Sequence, residues 1–149
     1  AGSSESIERW TSGGRRMRFG SWGQDRIVRL VDRRAAGFEE RAVHGAVRAA
    51  SIGHLPGRLH HHTLPDLASY LPRLAEYARR GAADAVDAGR RGSVLAALIR
   101  AEWRFVREYL LRLGFLDGGR GLLVAILAAH GTFLKWALVA DATRRSRRP

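Results

Sequence analysis

From Thr63 to about Ala142 the large apolar residues recur at three- and four-residue spacings, a period that suits helices and little else. Thr63 or Asp66 can cap a first helix, and Pro65 suits its opening turn. Leu67, Tyr70, Leu71, Leu74, Tyr77 and Ala78 then form one apolar stripe. Pro72 lies within it and is expected to kink the helix or to move its start later, with the end at Gly89 or Gly92. A second helix is predicted over residues 94–113. Leu95, Leu98, Ile99, Trp103, Val106, Leu110 and Leu113 lie on one side and Arg100, Arg104 and Arg107 on the other. Glu108 and Arg112 extend an i, i+4 ladder from Arg104, and Gly114 is expected to end the helix. After Phe115-Leu116-Asp117-Gly118-Gly119, a third helix is predicted over about residues 120–142.

The half before Thr63 has another character. Residues 1–14 are polar and rich in Ser and Gly, and are expected to be poorly ordered. Ile27-Val28-Arg29-Leu30-Val31 reads as a buried strand between Gly23-Gln24-Asp25 and Asp32-Arg33-Arg34, and Ala42-Val43-His44 as a further short extended segment. Glycines punctuate the region into turns. The fold class is therefore mostly α: residues 1–62 resemble the end of an α/β domain without its main sheet, and residues 63–149 a helical region of about three helices. With 149 residues there is chain for one core. The opening Ala1-Gly2-Ser3-Ser4, with neither methionine nor a signal-like apolar run, is expected of a cut within a longer protein. No internal repeat is visible.

Charge narrows the partners. With 26 basic and 14 acidic residues the formal charge is +12, which favours nucleic acid, an anionic membrane surface or a phosphorylated substrate. Helix-turn-helix spacing, zinc-finger spacing and an RNP-type aromatic strand are all missing, so nucleic acid is not the expected partner. There is no cysteine, which excludes disulfides and thiolate metal sites. Residues 121–134 carry no formal charge, but this run is shorter than the roughly 20 apolar residues of a spanning helix. His130, Gly131, Thr132 and Lys135 weaken it further. Basic and aromatic residues cluster around it: Arg100, Trp103, Arg104, Arg107, Phe115, Arg120, Phe133, Lys135 and Trp136. Interfacial helices combine these residue types at the headgroup level, so these nine are the predicted membrane contacts. The competing readings are a helical hairpin packed on its own protein with its arginines in water, and a true span.

Few residues before Thr63 suggest chemistry. His60-His61-His62 cannot easily converge on one ion, because neighbours in a strand point to opposite faces. Asp25 follows Trp22 and flexible glycines and precedes a strand, a setting for a general base or an acceptor-orienting carboxylate, but also for an ordinary turn aspartate. His44 stands alone and suits a structural role equally well. Neither G-x-x-x-x-G-K-[ST] nor G-x-G-x-x-G after a strand occurs.

Three stretches together resemble the C-terminal region of family 2 glycosyltransferases of the lipopolysaccharide-core type, the group that includes β-1,4-glucosyltransferases. The first is Arg16-Met17-Arg18-Phe19-Gly20-Ser21-Trp22-Gly23-Gln24-Asp25 through Val28-Arg29-Leu30, similar to that family's GGW-x-PD…RL element. The second is Ala42-Val43-His44, similar to its VHE segment, with His61 and Asp66-Leu67-x-x-Tyr70 following. The third and most specific runs from Trp103-Arg104-Phe105 through Tyr109 to Gly114-Phe115-Leu116-Asp117-Gly118 and Gly121. The resemblance covers roughly residues 10–140. Two departures stand out: Gly45 occupies a position where the family often has Glu, and Ser21, Gly23 and Gln24 replace its commoner Gly, aromatic and Pro residues.

The resemblance implies the remnant of a GT-A domain. The enzyme would be an inverting one, with a nucleotide-sugar donor, a divalent metal (Mg or Mn) and a lipid-linked glycan acceptor. It would act peripherally at the cytoplasmic face of the inner membrane. It implies Asp25 as catalytic base, His44 as a metal or diphosphate contact, and Trp22, Arg29 and His61 on the acceptor side. The family's D-x-D metal motif would lie upstream; Asp84-Ala85-Val86-Asp87 has the wrong spacing for it. This chain alone is therefore expected to be inactive. The alternatives left open are a non-catalytic basic membrane-surface module and, behind it, a nucleic-acid-binding protein.

Overall fold

The computed structural model describes residues 17–21 and 66–146 with their side chains, and residues 3–12, 15–16, 25–30, 36–39, 46–49 and 52–64 as backbone strands. The part described to the side chains is mostly helical. Helix α1 (Leu67–Asp87) starts where Asp66 accepts the Ser69 N–H at 2.7 Å, and that bond, the largest cause, holds the Asp66 carboxyl below its ordinary range. Pro72 neither delays the start nor ends the helix. It lies near the N-terminus, where its missing N–H forfeits one bond while the helix runs on to Asp87. Glu76 accepts from Arg79 and Arg80 at 2.9 and 2.6 Å, which lowers its pKa from 4.5 to about 2. Any stability from this exposed group is complete above pH 4.5 and is lost as pH falls through about 2.

Helix α2 (Val94–Val106) starts on Ser93, whose Oγ accepts the Ala96 N–H at 3.2 Å. Replacing Ser93 with alanine leaves that donor to water and is expected to cost about 1 kcal/mol in denaturant unfolding, with little cost for glycine. The helix widens into a π turn, Arg107–Leu111, and a 3-10 turn, Gly114–Asp117, leads into α3 (Gly118–Arg145). The chain leaves the π turn through Leu113, which has a left-handed backbone (φ 58°), and not through Gly114 as the sequence suggests. Gly114 serves a different need: a Cβ there would lie 2.6 Å from the Glu108 carbonyl oxygen.

Helix α3 packs against both other helices. Along α1 the two run in the same direction, with Leu74 meeting Leu127 and Ala82 and Ala85 meeting Val139. Against α2 they are antiparallel: Gly92 lies beside Ala140, and Gly114 beside Gly121. The buried apolar positions are small for the most part, among them Ala78, Ala82, Ala85, Ala97, Ala101, Ala125 and Ala140. The large apolar residues of α2 are outside. Leu95 is 67% exposed, Ile99 60% and Trp103 59%, whereas Ala97 on the opposite side of α2 is 0% exposed. The apolar side that the periodicity identifies is thus the outward one, and the Ala97–Ala101–Glu108 side faces in.

Before the helices, β1 (Ser3–Ser12) pairs antiparallel with β2 (Arg15–Arg16) and β3 (Asp25–Leu30), while β4 (Ala36–Glu39) and β5 (Ala46–Ala49) form a separate antiparallel pair. Strand β6 (Ile52–Leu64) runs parallel to β1 on its other side. The strand expected at residues 27–31 is present but starts at Asp25. Residues 3–12, expected to be poorly ordered, are a strand instead, because β3 and β6 take up their backbone groups on both edges. The segment Ala42-Val43-His44 lies outside the described residues.

Candidate functional site

A polar junction joins residues 17–21 to the turn between α2 and α3. Asp117 closes the 3-10 turn and does not cap α3 with its side chain. Its carboxylate accepts two backbone N–H groups from far back in the chain, Arg18 at 3.0 Å and Phe19 at 2.9 Å. Gly20 continues the docking by donating its N–H to the Arg112 carbonyl at 2.9 Å. Ser21 completes it: its N–H donates to Glu108 Oε2 at 2.8 Å and its hydroxyl donates to the same oxygen. Arg112 Nη1 donates to the Ser21 hydroxyl at 2.7 Å.

Glu108 is the hub and is 2% exposed. A buried carboxylate costs stability unless it is paired and hydrogen-bonded. Arg104 Nε and Arg112 Nη1 lie 3.4 and 3.5 Å from Oε1. The Arg104 Nε–H is not aligned to donate, so that pair is an ion pair without a hydrogen bond. The ladder Arg104–Glu108–Arg112 read from the i, i+4 spacing therefore exists, turned inward onto residues 17–21. Met17, 2% exposed, anchors the apolar side of the junction.

The glycines of the Gly114-to-Gly121 stretch divide the work. Gly114 allows close approach to Glu108, Gly118 takes a left-handed φ of 63°, and Gly121 lies against Gly114. A cleft of about 660 Å³ opens beside this turn, lined by Met17, Arg18 and residues 116–120. Arg18 and Arg120 give it a cationic wall.

Of the residues singled out for chemistry, Trp22 and His44 lie outside the described residues. Asp25 is the first residue of β3, opposite Glu8 in the register, and Arg29 lies further along that strand. His61 lies in β6 opposite Trp10, two residues along β1 from Glu8. The side chains of Asp25, Arg29 and His61 lie outside the described residues. No group of three or more His, Asp or Glu suited to a metal ion occurs among the described residues.

The basic and aromatic set does not form one surface. Trp103 and Phe115 are exposed, and Arg100 is exposed with its guanidinium 4.2 Å from the centre of the Trp136 ring. Trp136 packs with Val139, and the Lys135 stem lies over Gly81. Arg104 turns to Glu108, Arg120 Nη1 is buried, and Arg107 and Phe133 are half-buried. Sequence reasoning did not single out Glu108 or Asp117 as functional positions. The available signal for Glu108 was an acidic residue between two arginines on the alanine side of α2; for Asp117 it was the ring of close-set glycines. No family model matches the sequence, and no solved structure matches the fold.

Proposed function

We propose that this chain is the C-terminal, acceptor-side part of an inverting family 2 glycosyltransferase of the lipopolysaccharide-core type. It would act peripherally at the cytoplasmic face of the inner membrane. One observation carries the reading: the first and third stretches of the resemblance are joined in space. Residues 18–21 are held by Glu108, Arg112 and Asp117, 87 to 99 residues away in the chain. The contact runs through Asp117, the aspartate of the third stretch, and this is the support the reading draws on.

On this reading residues 1–62 are the end of a GT-A domain, and Asp25, four residues beyond Ser21 in the sequence, takes the proton of an acceptor hydroxyl. The hydroxyl oxygen then bonds to the anomeric carbon as the bond to the diphosphate breaks. Trp22, Arg29 and His61 contact the acceptor, and His44 the metal or the diphosphate. Donor and divalent metal belong to the upstream half with its D-x-D. The test is the parent protein: an upstream strand-rich domain with D-x-D is expected, together with transfer of labelled sugar from a nucleotide-sugar to extracted lipid. Transfer abolished by Asp25→Asn supports the assignment. A parent without that domain sinks it. The second reading, a non-catalytic membrane-surface module, draws on the outward apolar side of α2.

A further inference from the structure

Helix α2 is amphipathic in the reverse of the usual sense for a protein in water. Its inward side is Ala97, Ala101 and, in the π turn, Glu108, and its outward side is Leu95, Leu98, Ile99, Trp103 and, in the π turn, Leu110. Leu122 and Ile126 of α3, one turn apart, are exposed as well. Small residues between helices with large apolar residues outside is the arrangement of helices packed in lipid, where side chains face a medium as apolar as themselves. By length and composition the stretch Gly114–Arg145 could cross a membrane, yet only 22% of its apolar window is buried within the fold. In water such a surface demands a cover.

Charge selects the cover. The chain carries +12, so a second copy meets like charge, whereas an anionic surface meets opposite charge. Arg100 and Arg107 flank the apolar side, and exposed Trp103 supplies the aromatic group that settles at headgroup depth. Helix α1 also exposes Leu67, Leu71, Tyr77 and Val86, but Arg73, Arg79 and Arg80 are exposed among them, which suits a helix left in water. The 13 residues of α2 and the 5 of its π turn, with Arg100, Glu102 and Arg107 among them, suit a helix lying in the membrane plane.

We infer that α2 seats its Leu95–Ile99–Trp103 side in the headgroup layer of an anionic bilayer, parallel to the surface, with α1 turned to water. This rests on the location half of the reading above and not on its chemistry, so sugar transfer can fail while membrane docking stands. Glu102, exposed and one helical turn from Leu98 and Ile99, is an acidic group within that side that opposes an anionic surface.

The test uses the full 149-residue chain with phosphatidylcholine vesicles, with and without about a third phosphatidylglycerol. Sedimentation with the anionic vesicles is expected, weakened at high salt as screening shortens the reach of charge. Ile99→Glu is expected to cut partitioning by about tenfold or more, since a charge must enter the apolar layer. Glu102→Lys is expected to raise it by about tenfold, from two charge units near the headgroups. Both positions are exposed, and unchanged circular dichroism confirms that the variants fold. Failure to bind anionic vesicles overturns the inference. So does salt-sensitive binding indifferent to both variants, which would leave bulk charge as the cause. A dimer dissociated by Ile99→Glu also overturns it, assigning the face to a second copy.

Discussion

Gly121→Ala is expected to lose about 3 kcal/mol or more of stability, the upper range for overpacking, because the clash is with backbone. A Cβ at Gly121 would overlap the Gly114 carbonyl oxygen outright and lie 2.8 Å from the carbonyl carbon and 3.1 Å from Asp117 Cβ. No rotamer relieves such a contact, since the atoms on both sides belong to helix and turn. Gly114 cannot retreat either, being itself close to the Glu108 carbonyl. The strain therefore passes to Asp117 and its bonds to residues 18 and 19. Gly119→Ala is the control: nothing lies within 4 Å of a Cβ there, so up to about 1 kcal/mol of helix propensity is gained. Urea unfolding of the pair decides the matter. Equal midpoints for the two variants would mean that the turn is not packed as described.

The helices were legible because 3.6-residue periodicity survives whichever side faces the core. The spans predicted at 94–113 and 120–142 contain or nearly match α2 with its π turn and α3. Periodicity does not say which side is inward. Leu95, Ile99 and Trp103 mark a coherent stripe, but that α3 would take the alanine side follows from close approach at Gly92, Gly114 and Gly121, a pairwise property of two helices. The candidate site was half legible for a similar reason. Asp117 and its glycines stood out as a dense motif, whereas their docking partner, residues 17–21, lies some 98 residues away, and single-sequence spacing carries no signal over that distance. Pro72 is the converse case: a helix breaker by rule, tolerated because the Asp66 cap and the packing of Leu74 hold the helix on both sides of it.

Glu108→Ala is expected to cost about 3 kcal/mol, the scale for removing one partner of a buried charged cluster. The loss has two sources. The Ser21 N–H and hydroxyl lose their common acceptor, and Arg104 and Arg112 are left facing each other across the vacated position. The arginine side chains are 36% and 39% exposed and can turn to water, which keeps the cost from rising further. Arg112→Ala alone should therefore cost only about 1 kcal/mol, as a part-exposed hydrogen bond does. In the double variant the two losses should fall short of additive, because one network is removed twice. Hydrogen exchange gives the local readout. Glu108→Ala should abolish protection of the Ser21 amide, which has no other acceptor described, while Arg18 and Phe19 stay protected through Asp117. If all three amides lost protection together, the junction would be a single cooperative clamp in which Asp117 cannot hold residues 18–19 alone. If none did, Glu108 would not be what holds Ser21, and the spatial link between the two motif stretches would lose its hub.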